Sequence, residues 1–192
     1  ALALGSSLKS IFIDDGLMRE GEPECVRQVF RGLGIKVNLV DAQREFFSAL
    51  KSKTDPEEKR KAFRHKFYSV FGREVFKSRA RFLVQGTIKA DILETKAGVK
   101  TQHNILEQIG IDPEKGYGFR VIEPLKDLYK DDVRIVAKAL GLPEEIYLRM
   151  PFPGPGLATR IVGEVTPPRV AVVRKATQIV EEEIARLKPF QA

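Results

Sequence analysis

Asp14 and Asp15 close the apolar run SIFIDD and stand directly before Gly16. Carboxylates placed there can accept hydrogen bonds from a ribose or, through a metal, hold a phosphate; they can equally solvate a loop or cap a helix. Gly86 and Thr87, in VQGT, could bring bare backbone against a purine or phosphate, although any turn can use the same pair. His103, in TQHN, is one of two histidines and a candidate acid, base or hydrogen-bond donor. The other, His65, falls between Arg64 and Lys66 on what reads as the solvated face of a long helix. Lys100, Lys130 and Arg160 are candidate phosphate contacts or plain exposed cations. No zinc-ligand spacing, Walker pattern or GxSxG elbow occurs.

These residues need elements to position them. LKSIFIDDG reads as a buried strand running into a loop, and PECVRQVFRGLG as a helix with Val26, Val29, Phe30 and Leu33 on one face. Pro23 suits that helix's first turn and Gly34 its left-handed stop. IKVNLVDA is a second strand, followed by a helix carrying Phe46, Phe47 and Leu50. TDPEEKRKAFRHKFYSVFGREVF is a long helix capped by Thr54 or Asp55, its buried stripe made of Phe63, Phe67, Val70 and Phe71. RFLVQGT and FRVIEPL are strands, and KDDVRIVAKALG is a helix ending at Gly141.

Strands alternating with helices imply an α/β fold: a parallel sheet with helices on both faces. Ligands of such sheets sit at the carboxyl ends of the strands, so the loops DDGLMR, DAQ, QGTIKAD and EPLKDLYKDD should face one crevice. After the stiff stretch PFPGPG the texture changes. LATRIVGEV reads as one more strand, and TPPRVAVVRKATQIVEEEIARL as a helix with Thr166 as cap and an apolar stripe from Val170 through Val180 and Ile184 to Leu187. One strand and one helix cannot bury a core of their own.

Composition narrows the partners. Of 192 residues, 33 are Lys or Arg and 26 Asp or Glu, a formal charge of +7 that favours anionic ligands. The basic residues are dispersed among acids, without the basic-aromatic interleaving of RNA binders, which points to small phosphate-bearing ligands rather than polymers. No run approaches the roughly 18 apolar residues of a membrane span. Cys25 is alone, so neither a disulfide framework nor a cysteine metal site is available, and a cytoplasmic location is expected.

Taken together, TDPEEKRK, FLVQGT, KTQHN, VIEPLKDLYKDDVR and MPFPGPGLATRIVGEVTPPR closely resemble the ATP-pyrophosphatase part of the GMP synthetase family, over essentially the whole chain. The resemblance implies an adenine nucleotide alpha hydrolase-like domain over residues 1–150, followed by the start of a small α+β dimerisation domain over 151–192. It implies ATP and Mg2+, XMP as acceptor, a glutamine amidotransferase subunit as ammonia source, and a homodimer away from membranes. By the same resemblance Asp14 and Gly16 meet the adenosine, and Gln85, Gly86, Thr87 and Asp91 line the nucleotide crevice. Lys130 and Asp131, matching the family's KDEVR, act near the phosphates with His103 as a further catalytic candidate. Arg60, Lys100, Asn104 and Arg160 fall to the acceptor side.

The family's SGGVDSS pyrophosphate loop is not in this sequence, and ALALGSS reads as the tail of the helix that follows it. The working expectation is a synthetase subunit without its own glutaminase domain. KSHHN is KTQHN here, PDWIES or PDVIES is ADILET, KRKIIG is KRKAFR, and a glycine-rich stretch is replaced by ILEQIGIDPEKGYGF. These changes keep two alternatives open: a paralogue that adenylates another nucleobase or an RNA, and a non-catalytic nucleotide-binding or dimerisation module.

Overall fold

The computed structural model describes residues 3–96 and 119–187. Two compact units are present, one made of residues up to Glu74 together with those from Phe152 onward, the other of Val75–Pro151.

In the first unit the apolar run forms β1, Ser10–Asp14, paired in parallel with β2, Val37–Asp41, so that Asp14 lies in register with Asp41. Parallel neighbours need a crossover, and α1, Glu22–Gly32, supplies it. Its ends obey local chemistry: Pro23 lies in the first turn beside Glu22 and Glu24, and Gly34 takes a φ of 72° just beyond the end. Helix α2, Gln43–Leu50, buries Phe46 and Leu50, one turn apart. Helix α3, Pro56–Ser78, starts where Asp55 Oδ1 accepts the amides of Glu57 and Glu58, each at 2.9 Å. Its stripe packs as expected, with Phe63 and Val70 buried, the Phe63 ring 4.8 Å from Phe46, and Phe67 stacked between Phe63 and Phe71.

The strand expected over Leu157–Val165 does not form. Gly156–Arg160 is a 3-10 helix followed by bends, and the buried positions Leu157, Ala158, Ile161 and Val165 lack the two-residue alternation of a strand. Gly156 and Gly163, at φ 58° and 78°, turn the chain so that these side chains join Ile13, Leu17, Phe46, Leu50, Phe63 and Val70 in one core. The last helix of the unit runs over Pro167–Leu187; of its apolar stripe Val170 is buried, whereas Val180, Ile184 and Leu187 are exposed.

The second unit contains β3, Phe82–Val84, and β4, Arg120–Ile122, also parallel, with Phe82 opposite Arg120. The four described strands thus form two parallel two-stranded sheets, not one four-stranded ladder. Helix α4, Lys89–Lys96, opens inside the stretch expected to be loop, its first turn closed by Asp91 Oδ2 accepting the Ile88 amide at 3.0 Å. Helix α5, Lys130–Ala139, is preceded by Tyr129, whose amide donates to Asp132 at 2.9 Å, and ends ahead of Gly141 at φ 76°. A short helix α6 spans Glu144–Tyr147, and the Pro167–Leu187 helix is α7.

Candidate functional site

In the first unit the carboxyl end of β1 builds a loop from its own acids. Asp14 Oδ1 accepts the Gly16 amide at 2.9 Å while its Oδ2 accepts Gln43 Nε2 at 2.8 Å. Asp15 Oδ1 accepts the Leu17 amide at 2.8 Å. Two such turns in succession require a left-handed residue, which Gly16 provides at φ 75°; a Cβ there would meet the Phe47 ring at 2.9 Å. Asp15 is 1% exposed, and burial pushes its carboxyl up from 3.8 to about 6, with the Leu17 amide opposing and Asp14 and Glu22 adding to the rise. Of the two acids, Asp14 is the more accessible acceptor, and the buried Asp15 braces the loop.

The proline-glycine stretch lies against this loop. Leu157 N donates to Leu17 O at 2.8 Å, and a Cβ on Gly156 would lie 2.5 Å from the same oxygen, so only glycine allows the approach. Gly154, by contrast, has open space around it. Downstream, Lys59 is 1% exposed and donates from Nζ to Ile161 O at 2.6 Å; burial, with Arg169 nearby, holds its ammonium below the ordinary lysine range. Arg169 donates to Val162 O and Glu164 O, and Ser52 N to Glu164 Oε1 at 2.7 Å, fixing the bends that replaced the expected strand.

Arg160 is exposed, 5.0 Å above the Phe152 ring, and donates to Thr177 Oγ1 at 3.3 Å. Arg19 lies 4.2 Å from the centre of that ring and pairs with Glu181. A cleft of about 370 Å³ opens here, lined among others by Arg19, Arg174, Thr177, Gln178 and Glu181. Arg60 is half-buried and paired with Glu57 on the first turns of α3.

In the second unit the loops after β3 and β4 run together. Gln85 N donates to Ile122 O at 2.9 Å, the buried Thr87 hydroxyl donates to Glu123 Oε1 at 2.6 Å, and Lys89 N donates to Leu128 O at 2.9 Å. Gly86 is exposed between these anchors. Lys130 and Asp131 occupy the exposed first turn of α5, where Asp131 pairs with Arg134 at 3.1 Å. The structure thus brings Gln85, Gly86, Thr87 and Asp91 into one loop system joined to the β4 loop. Lys100, His103 and Asn104 lie outside the described residues.

Three side chains escaped the sequence reading. Glu123 is the acid that ends β4 and was visible as such in VIEPL. Lys59 sits inside the EEKRK string, of whose cations the resemblance singles out only Arg60. Arg174 follows Val170 by one turn on the stripe of α7, a spacing that places a cation on the covered face.

Among the described residues no three His, Cys, Asp or Glu side chains are gathered as a metal cage requires. Magnesium commonly takes only one or two carboxylates and completes its shell with phosphate oxygens and water. Asp14, each of whose oxygens accepts a single hydrogen bond and keeps further acceptor capacity, is one carboxylate that could contribute to such a shell.

Parallel strands with helical connections, and strand-end loops of Asp, Gly and Thr held by buried polar contacts, define an α/β protein of the class that takes ligands at its strand ends. No family model matches the chain. Curated relatives do. The chain is 54% identical over 190 residues to the B-type subunit of the glutamine-hydrolyzing GMP synthase of Archaeoglobus fulgidus, covering 98% of this chain and 60% of that protein. It is 52% identical over 193 residues to the protein of the same name from Pyrococcus horikoshii, covering 99% and 61%. With that of Methanoregula boonei it shares 53% over 192 residues, covering 100% and 61%. Over nearly its whole length the chain is thus similar to synthetase subunits of GMP synthase. It spans about 60% of the length of these relatives.

Proposed function

We propose that this chain carries the nucleotide-activating part of an ATP-dependent GMP-forming ligase. The observation that supports it best is identity of 52–54% with B-type GMP synthase subunits across nearly every residue of the chain. In the reaction, the xanthine 2-oxygen of XMP attacks the α-phosphorus of ATP, the bond from that phosphorus to the bridging oxygen breaks, and pyrophosphate leaves. Ammonia then adds at C2, the C2–O bond breaks, AMP departs with the oxygen, and loss of a proton from nitrogen gives GMP. Adenylation is needed because a purine oxygen is otherwise a poor leaving group.

The chain's own residues take binding and orienting roles. Asp14, at the strand end, would accept ribose hydroxyls by exchanging Gln43 for them, with Gly16 giving the loop its left-handed turn beside the nucleoside. Gln85, Gly86 and Thr87 would present backbone to the nucleotide, the turn being held by Glu123 behind it and by Asp91 at the start of α4. Lys130 would offset charge on the departing pyrophosphate from the start of α5, with Asp131 beside it. Arg60, Lys100, Asn104 and Arg160 would face XMP, and His103 would move a proton. Magnesium, when bound, would neutralise phosphate charge and travel with the triphosphate.

The finer architecture follows the same resemblance: an adenine nucleotide alpha hydrolase-like fold over residues 1–150, with 151–192 opening a dimerisation domain of a cytoplasmic homodimer supplied with ammonia by a glutamine amidotransferase subunit. Gln102, in KTQHN, favours one competitor, a paralogue adenylating a different base. Full-length protein with ATP, magnesium and ammonium should release pyrophosphate only when XMP is added, and GMP should accumulate in equal amount. Pyrophosphate release indifferent to XMP would sink this reading in favour of the paralogue, and none with any base would leave a binding module.

A further inference from the structure

Four consecutive residues after β1 are held by one distant segment. Gly16 O accepts Arg174 Nη2 at 2.6 Å, Leu17 O accepts Leu157 N at 2.8 Å, and Met18 O accepts Arg174 Nε at 2.9 Å. The Arg19 side chain donates from Nε to both Glu181 oxygens, at 2.9 and 3.0 Å, and stacks on Phe152. On the opposite edge the loop's amides are taken by its own carboxylates: Gly16 N by Asp14 and Leu17 N by Asp15. The carbonyls of Gly16, Leu17 and Met18 are thus held by Arg174 and Leu157, while that of Arg19 accepts the Glu22 amide at 3.3 Å. An arginine fork spanning the carbonyls of residues i and i+2 sets the orientation of two peptide planes at once, which a single donor cannot do. Arg174 stands on α7 one turn beyond the buried Val170, so its stem is held by the same helix face that packs into the core.

We propose that Arg174 is a positioning residue for adenine-nucleotide binding. By holding the carbonyls of Gly16 and Met18 it keeps the loop in the conformation in which Asp14 and Gly16 meet the nucleoside. This ties α7 to the nucleotide loop, so that what displaces the helix lowers nucleotide affinity and, reciprocally, bound nucleotide steadies the helix. The proposal rests on the nucleotide reading of Asp14 and Gly16.

The test is calorimetric titration of the full-length protein with a non-hydrolysable ATP analogue and, separately, with XMP, for wild type, Arg174→Met and Arg174→Lys. Arg174→Met should weaken the analogue about tenfold, the loss expected for charge-assisted bonds acting through a loop. XMP affinity should stay unchanged, and lysine, which can reach one of the two carbonyls, should recover part of the loss. In steady state, KM for ATP should rise more than kcat falls. Wild-type protein that fails to bind the analogue would defeat the nucleotide reading itself. Wild type that binds, beside an Arg174→Met protein that binds equally well, would defeat this proposal alone. Equal losses for both ligands would make Arg174 merely structural and also overturn it. Should Arg174→Met not fold, Arg174→Lys decides: wild-type affinity for the analogue overturns the proposal, and a selective loss upholds it.

Discussion

A Cβ on Gly156 would lie 2.5 Å from the carbonyl oxygen of Leu17, and 2.9 Å from the Leu17 Cβ. Neither neighbour is a side-chain end that can swing aside: the oxygen also accepts the Leu157 amide, and Leu17 is fully buried. Gly156→Ala should therefore combine left-handed strain with a backbone clash and destabilise the protein by at least about 2 kcal/mol. Gly154→Ala, in open space, should stay within about 0.5 kcal/mol of wild type. Urea denaturation of the two variants side by side checks both, and equal effects would refute the close-approach account.

Asp15 should make stability depend on pH. Its folded pKa of about 6 lies above the ordinary 3.8, so the folded chain holds the proton more tightly than the unfolded one. The contribution is present below pH 3.8 and is lost as pH rises through about 6. At pH 7 the ionised, buried carboxylate costs up to roughly 3 kcal/mol relative to the protonated form. Asp15→Asn retains an oxygen for the Leu17 amide and has no charge to bury. It should flatten the change of urea midpoint between pH 4 and 6, with Asp14 and Glu22 still in place; a slope equal to wild type would remove Asp15 as its source.

The Thr87 hydroxyl donates to Glu123 inside the second unit, at 2.6 Å. Thr87→Val keeps the shape and deletes the donor, leaving the carboxylate oxygen short of a partner. A loss of about 1–3 kcal/mol is expected, and Thr87→Ser should restore most of it. If Thr87→Ser behaves like Thr87→Val in thermal denaturation, methyl packing rather than the hydrogen bond holds the loop.

Lys130 is exposed at the start of α5, and replacing it should hardly touch the fold. Lys130→Ala in the full-length enzyme should nonetheless cut pyrophosphate release at least about tenfold, as expected for loss of a cation aimed at developing phosphate charge. Turnover unchanged from wild type would take the residue out of the site.

Much of this protein is decided within short windows of sequence. Asp55 caps α3, Gly34 and Gly141 stand in left-handed conformations beyond helix ends, and short apolar runs ending in Asp14, Asp41 and Glu123 become parallel strands. Steric limits on φ and the periods of helix and strand act over a few residues, so a linear reading finds them. The combination of TDPEEKRK, FLVQGT, KTQHN, VIEPLKDLYKDDVR and MPFPGPGLATRIVGEVTPPR likewise indicated the family.

Tertiary structure alone decided what those windows meet. Leu157–Val165 has the composition of a strand, yet a core shared with Ile13 and Phe46 draws in Leu157, Ala158, Ile161 and Val165 as a 3-10 turn with bends. Nothing in EEKRK distinguishes Lys59 from its neighbours, but the carbonyl of Ile161, 102 residues away, gives its ammonium a buried partner. Arg174 looks like one helix cation among several until it is seen across the carbonyls of Gly16 and Met18, some 156–158 positions earlier. No local period records which backbone oxygen a long side chain will find. That depends on the packing of segments far apart in the chain, and burial is what turns such a contact from optional into necessary.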